Sequence, residues 1–452
     1  MTATTQERRV VTGAEPTSRL TGHRKDGLGA SPFAETAPAV IAAIAFAVAC
    51  LVWLVAGERL PGGRWIVVHI FTLGVLTTSI WGFSLHLAAR FTGTAAQAPG
   101  LRTRGTLAAL LSASIISMLT GRVGGLHLPL VLGSVGIMTI VAVNLVQLRR
   151  LRRAATNERF TWVVTQYEHA HLAFLVAAGL GGAMGAGWIP ASIFTAVRTA
   201  HIHLNVLGWA GLTVLTTLTV FGPALLRVRI EPEVERRAAT AVNLAGLGLA
   251  IAAAGFLITS IGEGAGPPRV MAAGGLGLYA YGVVVISLPL LRAVRRSDRS
   301  PLRWGVGASL AWFLLAIAVD LLLVVTGVGG WPLALSSILL VGVLAQLVLT
   351  VLLFVAPMLR GRTFGARDRV LARVEFLART RSGALNLGVA TVAGTQLADR
   401  IGFDVGTIAP ATGWLLVIVA VLAHLAVVVW PAGRGDDGHV RSATARRYRS
   451  NH

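Results

Sequence analysis

The chain has 452 residues, 54 % of them hydrophobic and only 13 % charged, with a mean hydropathy of +0.71, a balance that excludes a soluble globular domain and leaves an integral membrane protein. The net charge of +21 does not mark a nucleic-acid binder, because it sits in short loop clusters between apolar runs, the pattern of a basic surface solvated beside lipid. One cysteine, Cys50, excludes internal disulfides, a C-x-x-C-H haem attachment and a cysteine-based copper or zinc cluster.

Residues 1–36 are polar, lack the apolar core and cleavage site of a secretory signal, and read as a disordered basic tail. From 37 to 430 the hydropathy predicts an all-α integral membrane domain of twelve transmembrane helices, over 37–57, 64–90, 105–121, 127–148, 161–186, 197–226, 238–261, 269–291, 304–326, 332–357, 384–399 and 406–430. Residues 431–452 read as a second disordered basic tail. Of the 40 Lys and Arg, 34 fall on the two tails and every second loop. Because basic residues in short loops set orientation, both termini are expected to be cytoplasmic, in a multi-pass protein of the cell membrane.

Helix two carries His69, with Arg64 five residues before it and His86 seventeen after, about 25 Å further along the axis. Helix five holds Gln166, Tyr167, Glu168, His169 and His171, followed by the run GLGGAMGAG, read as helix-packing glycines because no strand precedes it. Helix six holds Arg198, His201 and His203, and helix nine holds Asp320, the one acid deep within a span. A neutral imidazole must satisfy one donor and one acceptor, and in hydrocarbon each unmet group costs about 2 kcal/mol or more, so these histidines need partners. Metal or haem iron is the partner that suits them best. An intramembrane carboxylate is a functional candidate by default, as proton relay, cation site or partner of a polar side chain. His127 and His424 lie near span ends and read as interfacial.

Residues i and i+2 point to opposite sides of an α-helix, so neither His169 with His171 nor His201 with His203 chelates one ion alone. The pattern Arg64, His69, Leu73, Gly74 recurs as Arg198, His203, Leu207, Gly208, displaced by 134 residues, and decays another 134 residues on to Pro332, Ser337, Val341, Gly342. The copies open helices two, six and ten, which predicts three pseudo-repeated four-helix arcs.

Twelve helices in three arcs, a histidine near the outer end of the second helix and His-x-His on an outward-starting helix resemble the catalytic subunits of the haem-copper oxidases. The stretches HIFTLGVLTTSIWGFSLH from His69, HIHLNVLGWAGLTVLTTL from His201 and HAHL from His169 are more similar to the smaller NnrS-like haem and copper membrane proteins, and to actinobacterial polytopic proteins of copper or nitrite metabolism. The resemblance implies a low-spin haem ligand at His69. The tenth helix has Ser336 and Ser337 where the oxidases have His-x-His, and the adjacent histidine pair and His-x-x-x-His-Glu copper pattern are missing, so a full oxygen- or nitric-oxide-reducing ligand set is not expected.

On these grounds the sequence predicts a b-type haem between helices two and six, held by His69 and one of His201 or His203. Arg64 and Arg198 either meet its propionates or snorkel to water. His169 and His171, with the remaining helix-six histidine, are expected to hold copper or another haem, or to join Gln166, Tyr167 and Glu168 in a polar network. Glu168 is placed to feed protons to His169, and His86 suits a second haem near the inner leaflet. The expected role is redox, nitric-oxide, nitrite or copper metabolism, with the bilayer and a copper-containing oxidase, nitrite reductase or other electron-transfer protein as partners. The alternative is a transporter or metal-handling permease that uses the intramembrane histidines and Asp320.

Overall fold

Long apolar stretches with no strand pattern fold here as helices throughout. The structure is a computed structural model that describes residues 34–229, 232–258, 266–297, 300–327, 333–360 and 364–429, so most of both tails lies outside the described residues. Ala34–Thr36 form a turn of 3-10 helix, which carries order slightly past the predicted tail boundary at 36. The long helices are α1 (Ala37–Ala56), α2 (Gly63–Phe91), α3 (Leu101–Val123), α4 (His127–Arg153), α5 (Thr161–Gly185), α6 (Ala191–Leu226), α7 (Pro232–Ile258), α8 (Gly266–Arg296), α9 (Arg303–Thr326) and α10 (Leu333–Met358). A short α11 (Phe364–Glu375) precedes α12 (Ala378–Arg400) and α13 (Ile408–Val429).

Ten of these helices are long and apolar enough to cross a membrane. The two predicted spans outside that set are α5 and α12, and both carry polar side chains that bond to neighbouring helices rather than to water. Gln166 of α5 donates to Asn243 at 2.5 Å, and Asn386 and Gln396 of α12 accept from Trp312 and Ser337 at 2.7 and 2.8 Å. Outward, α1 exposes Ile41, Val48, Val52 and Val55, each more than half accessible, an apolar face that suits lipid. The amphipathic α11 was not predicted, because with Arg367, Arg369 and Arg373 it reads as a basic loop.

The 134-residue repeat has a backbone counterpart. Three helices switch from α to π geometry, over Ile70–Thr77, Leu204–Leu212 and Ile338–Ala345, and each switch begins 134 residues after the last. The switch follows directly on His69, His203 and Ser337. The repeated glycine lies inside each π segment, where an added Cβ would meet Phe46 of α1 at 2.4 Å, Ala173 of α5 at 2.7 Å or Trp312 of α9 at 3.0 Å. Pro223 in α6 and Pro357 in α10 extend the match. Neighbour relations recur as well: α1 packs on α2, α5 on α6 and α9 on α10, while α3 pairs with α4, α7 with α8 and α12 with α13. The α3–α4 pair closes at Gly121 and Gly133, where a Cβ would stand 2.4 Å from the backbone nitrogens of Leu130 and Met118, the small-residue contact by which membrane helices approach.

Candidate functional site

The repeat puts His203 at the last α-helical residue before the π segment of α6, an irregularity frequent at functional sites. Its Nδ1–H donates to the carbonyl of Thr199 one turn earlier at 2.8 Å, and its Nε2 faces Asp320 of α9 at 3.1 and 3.3 Å. The ring packs against Phe256 of α7 at 4.5 Å, and His203 and Asp320 are only 1 % and 4 % exposed. With Nδ1 committed as a donor, the Nε2–carboxylate contact holds one proton, on the imidazole or on the carboxyl. The two residues are 117 positions apart, so no local spacing announces the pair. The signal available in sequence was that Asp320, lacking a basic neighbour on its own helix, needed a donor from another.

His69 and His201 are arranged differently. His69 donates from Nδ1 to the carbonyl of Trp65 at 2.7 Å and stacks on that indole at 4.1 Å. His201 donates from Nδ1 to Ala177 of α5 at 2.8 Å. Its ring occupies the space left by Gly181, where a Cβ would lie 2.5 Å from Cε1. Both are half-buried, and among the described residues neither Nε2 has a hydrogen-bond partner. The guanidinium of Arg122 covers the Trp65 ring, on which His69 stacks, at 5.7 Å. An imidazole with Nδ1–H given to a backbone carbonyl presents its Nε2 lone pair, the tautomer that ligates metal.

His171 is completely buried and fully satisfied: Nδ1–H donates to Tyr167 at 2.6 Å and Nε2 accepts from Asn144 of α4 at 3.0 Å. Asn144 also donates to the carbonyl of Trp81 at 3.1 Å, Trp209 meets the His171 ring edge-on at 4.7 Å, and the Trp209 indole donates to Thr77 at 3.0 Å. These contacts tie α2, α4, α5 and α6 together. Asn144→Leu is therefore expected to cost about 1–3 kcal/mol by stranding the His171 acceptor, read as a lower thermal unfolding temperature in detergent.

The structure does not bring His169, His171 and His203 together as a copper or haem site. His169 lies on the exposed face of α5, reaching Gln166 at 3.4 Å, while His171 and His203 are engaged as described, because residues two apart on a helix face opposite ways. Glu168 does not serve His169; it pairs with Arg152 of α4 at 2.6 and 3.2 Å and with Arg149 at 3.6 Å. Arg64 and Arg198 are exposed. His86 is buried against Glu35 at 3.6 Å, and Arg104 reaches the same carboxylate at 3.4 Å. Among the described residues no three or more His, Cys, Asp or Glu gather into a group that could hold a metal ion.

The chain matches no protein-family model and no curated protein. The functional argument rests on these side chains.

Proposed function

We propose that the chain is a haem-binding integral membrane protein with twelve spans in three four-helix arcs and both ends cytoplasmic, its iron held between α2 and α6 by His69 and His201. Three helices turning π at 134-residue intervals, with matching neighbour relations, support the arcs. The 34 basic residues on alternate loops support the orientation. The observation that carries the haem reading is that His69 and His201 each give Nδ1–H to a backbone carbonyl and, among the described residues, leave Nε2 without a hydrogen-bond partner.

Two imidazoles are the donors that would hold the iron of a b-type haem. Arg122, Arg64 and Arg198 lie on or beside the same helix ends and suit propionate carboxylates. A bound haem would supply a one-electron couple. The chain's own residues fix the two imidazoles through Trp65 and Ala177 and store a proton at His203–Asp320. A redox role in nitric-oxide, nitrite or copper chemistry, with an electron-transfer partner, follows from the resemblance noted in the sequence.

The test is the visible spectrum and metal content of the purified protein: a low-spin haem spectrum is expected, and a colourless, iron-free protein would refute the reading. Gly181→Val is expected to reduce haem retention by displacing the His201 ring, measured as haem per protein. A second reading, a proton-coupled permease, is favoured by His203–Asp320 itself, since buried carboxylates mark proton paths. Proton uptake by proteoliposomes of the colourless protein supports that reading instead.

A further inference from the structure

The first and third arcs each have a small cavity at the end where the basic loops lie, and the two correspond. One is lined by Glu35, Pro38, Gly82, Leu85 and Arg104, the other by Pro301, Gly305, Thr350, Leu353, Arg381 and His424, each about 10 Å³. Gly82 and Leu85 become Thr350 and Leu353 after two 134-residue repeats. Each cavity has a buried arginine from the start of the arc's third span, Arg104 at 3 % exposure and Arg381 at 6 %.

The two arginines are neutralised differently. Arg104 donates from Nε to Pro99 at 2.8 Å and lies 3.4 Å from the carboxylate of Glu35. Arg381 has a single hydrogen bond, from Nη2 to the carbonyl of Val374 at 2.8 Å, and its buried Nε and Nη1 have none. Among the described residues no carboxylate pairs with it; the ring facing the cavity is His424, whose Nδ1–H is already given to Ala420 at 2.7 Å. A buried guanidinium without a counter-anion is costly, and the sister arc answers that cost with an acid.

We propose that Arg381 binds an oxygen of a phosphate group, supplied by an anionic lipid headgroup of the adjoining leaflet. A cavity of about 10 Å³ admits one oxygen-sized atom, so the rest of the phosphate stays at the opening. The surroundings match a membrane surface. Trp304 carries Arg303 and Arg379 on its ring at 4.7 and 5.5 Å, an interfacial aromatic with two phosphate-seeking cations. Phe376 and Leu377, 66 % and 53 % exposed, present apolar surface where acyl chains lie. Free phosphate offers the same chemistry without the chain.

The full-length protein is purified into nanodiscs of phosphatidylcholine with and without phosphatidylglycerol, and bound lipid is counted by native mass spectrometry beside the thermal unfolding temperature. Phosphatidylglycerol is expected to be retained selectively and to raise the unfolding temperature. Arg381→Gln is expected to weaken that retention about tenfold, the worth of one charged hydrogen bond. Pro301→Glu, which supplies an internal acid as Glu35 does, is expected to keep the fold and remove the lipid dependence; it decides the matter should Arg381→Gln fail to insert. Stabilisation by inorganic phosphate in phosphatidylcholine alone, lost in the same variants, supports the site with free phosphate as its source. Equal retention of both lipids with no response to phosphate, or selectivity unchanged in both variants, overturns the proposal.

Discussion

Asp320→Ala is expected to destabilise the protein by about 1–3 kcal/mol, the cost of leaving the buried Nε2 of His203 without its hydrogen-bond partner. His203 sits at 1 % exposure with Nε2 aimed at the carboxylate. Asp320→Asn, which keeps one acceptor oxygen, is expected to lose less. The double variant His203→Leu, Asp320→Leu is expected to recover much of the single-variant loss, because replacing both partners by apolar groups removes the stranded polar group. Thermal unfolding of the wild type, His203→Leu, Asp320→Leu and the double variant in one detergent closes this double-variant cycle. Additive losses, with no recovery in the double variant, would show that the pair is not coupled.

The second large effect concerns the proposed haem. His69→Ala and His201→Ala are each expected to abolish the low-spin spectrum while the protein remains inserted, since each would remove one of the two imidazoles proposed to hold the iron. His203→Gln is expected to leave the spectrum in place, because glutamine still donates to Asp320 and the ring it replaces has both nitrogens engaged by Thr199 and Asp320. Spectra of the three variants at matched protein concentration distinguish the two helix-six histidines. A spectrum lost with His203→Gln and kept with His201→Ala transfers the ligand role back to His203 and refutes the pairing proposed here.

The choice between His201 and His203 shows where sequence reasoning stops. The repeat aligned His203 with His69, yet the sequence left either His201 or His203 as the partner of His69. Helix periodicity required only that His201 and His203 point apart, and gave no means of saying which one faced α2. Tertiary packing turned His203 toward α9, where Asp320 waited 117 residues away, and turned His201 toward α5 into the gap at Gly181. The α5 motif was legible in the same partial way. Its polar residues were expected to form a network or a metal site, and Asn144 of α4, an unremarked residue of another helix, made it a network around His171.

The sequence alone determined that the chain is helical and membrane-type, and the 134-residue period, because hydropathy and periodicity are written locally along the chain; its helix bounds miss by as much as six residues, as at the starts Ala191, Pro232 and Ala378. It left unread the α-to-π switches and α11, whose irregular or basic segments lack an apolar period. Only the tertiary structure decided which polar side chains meet: His203 with Asp320, Glu168 with Arg152, and Arg381 with no acid among the described residues. Such pairings depend on the rotation of each helix about its axis, and that rotation is fixed by contacts between residues far apart in the chain.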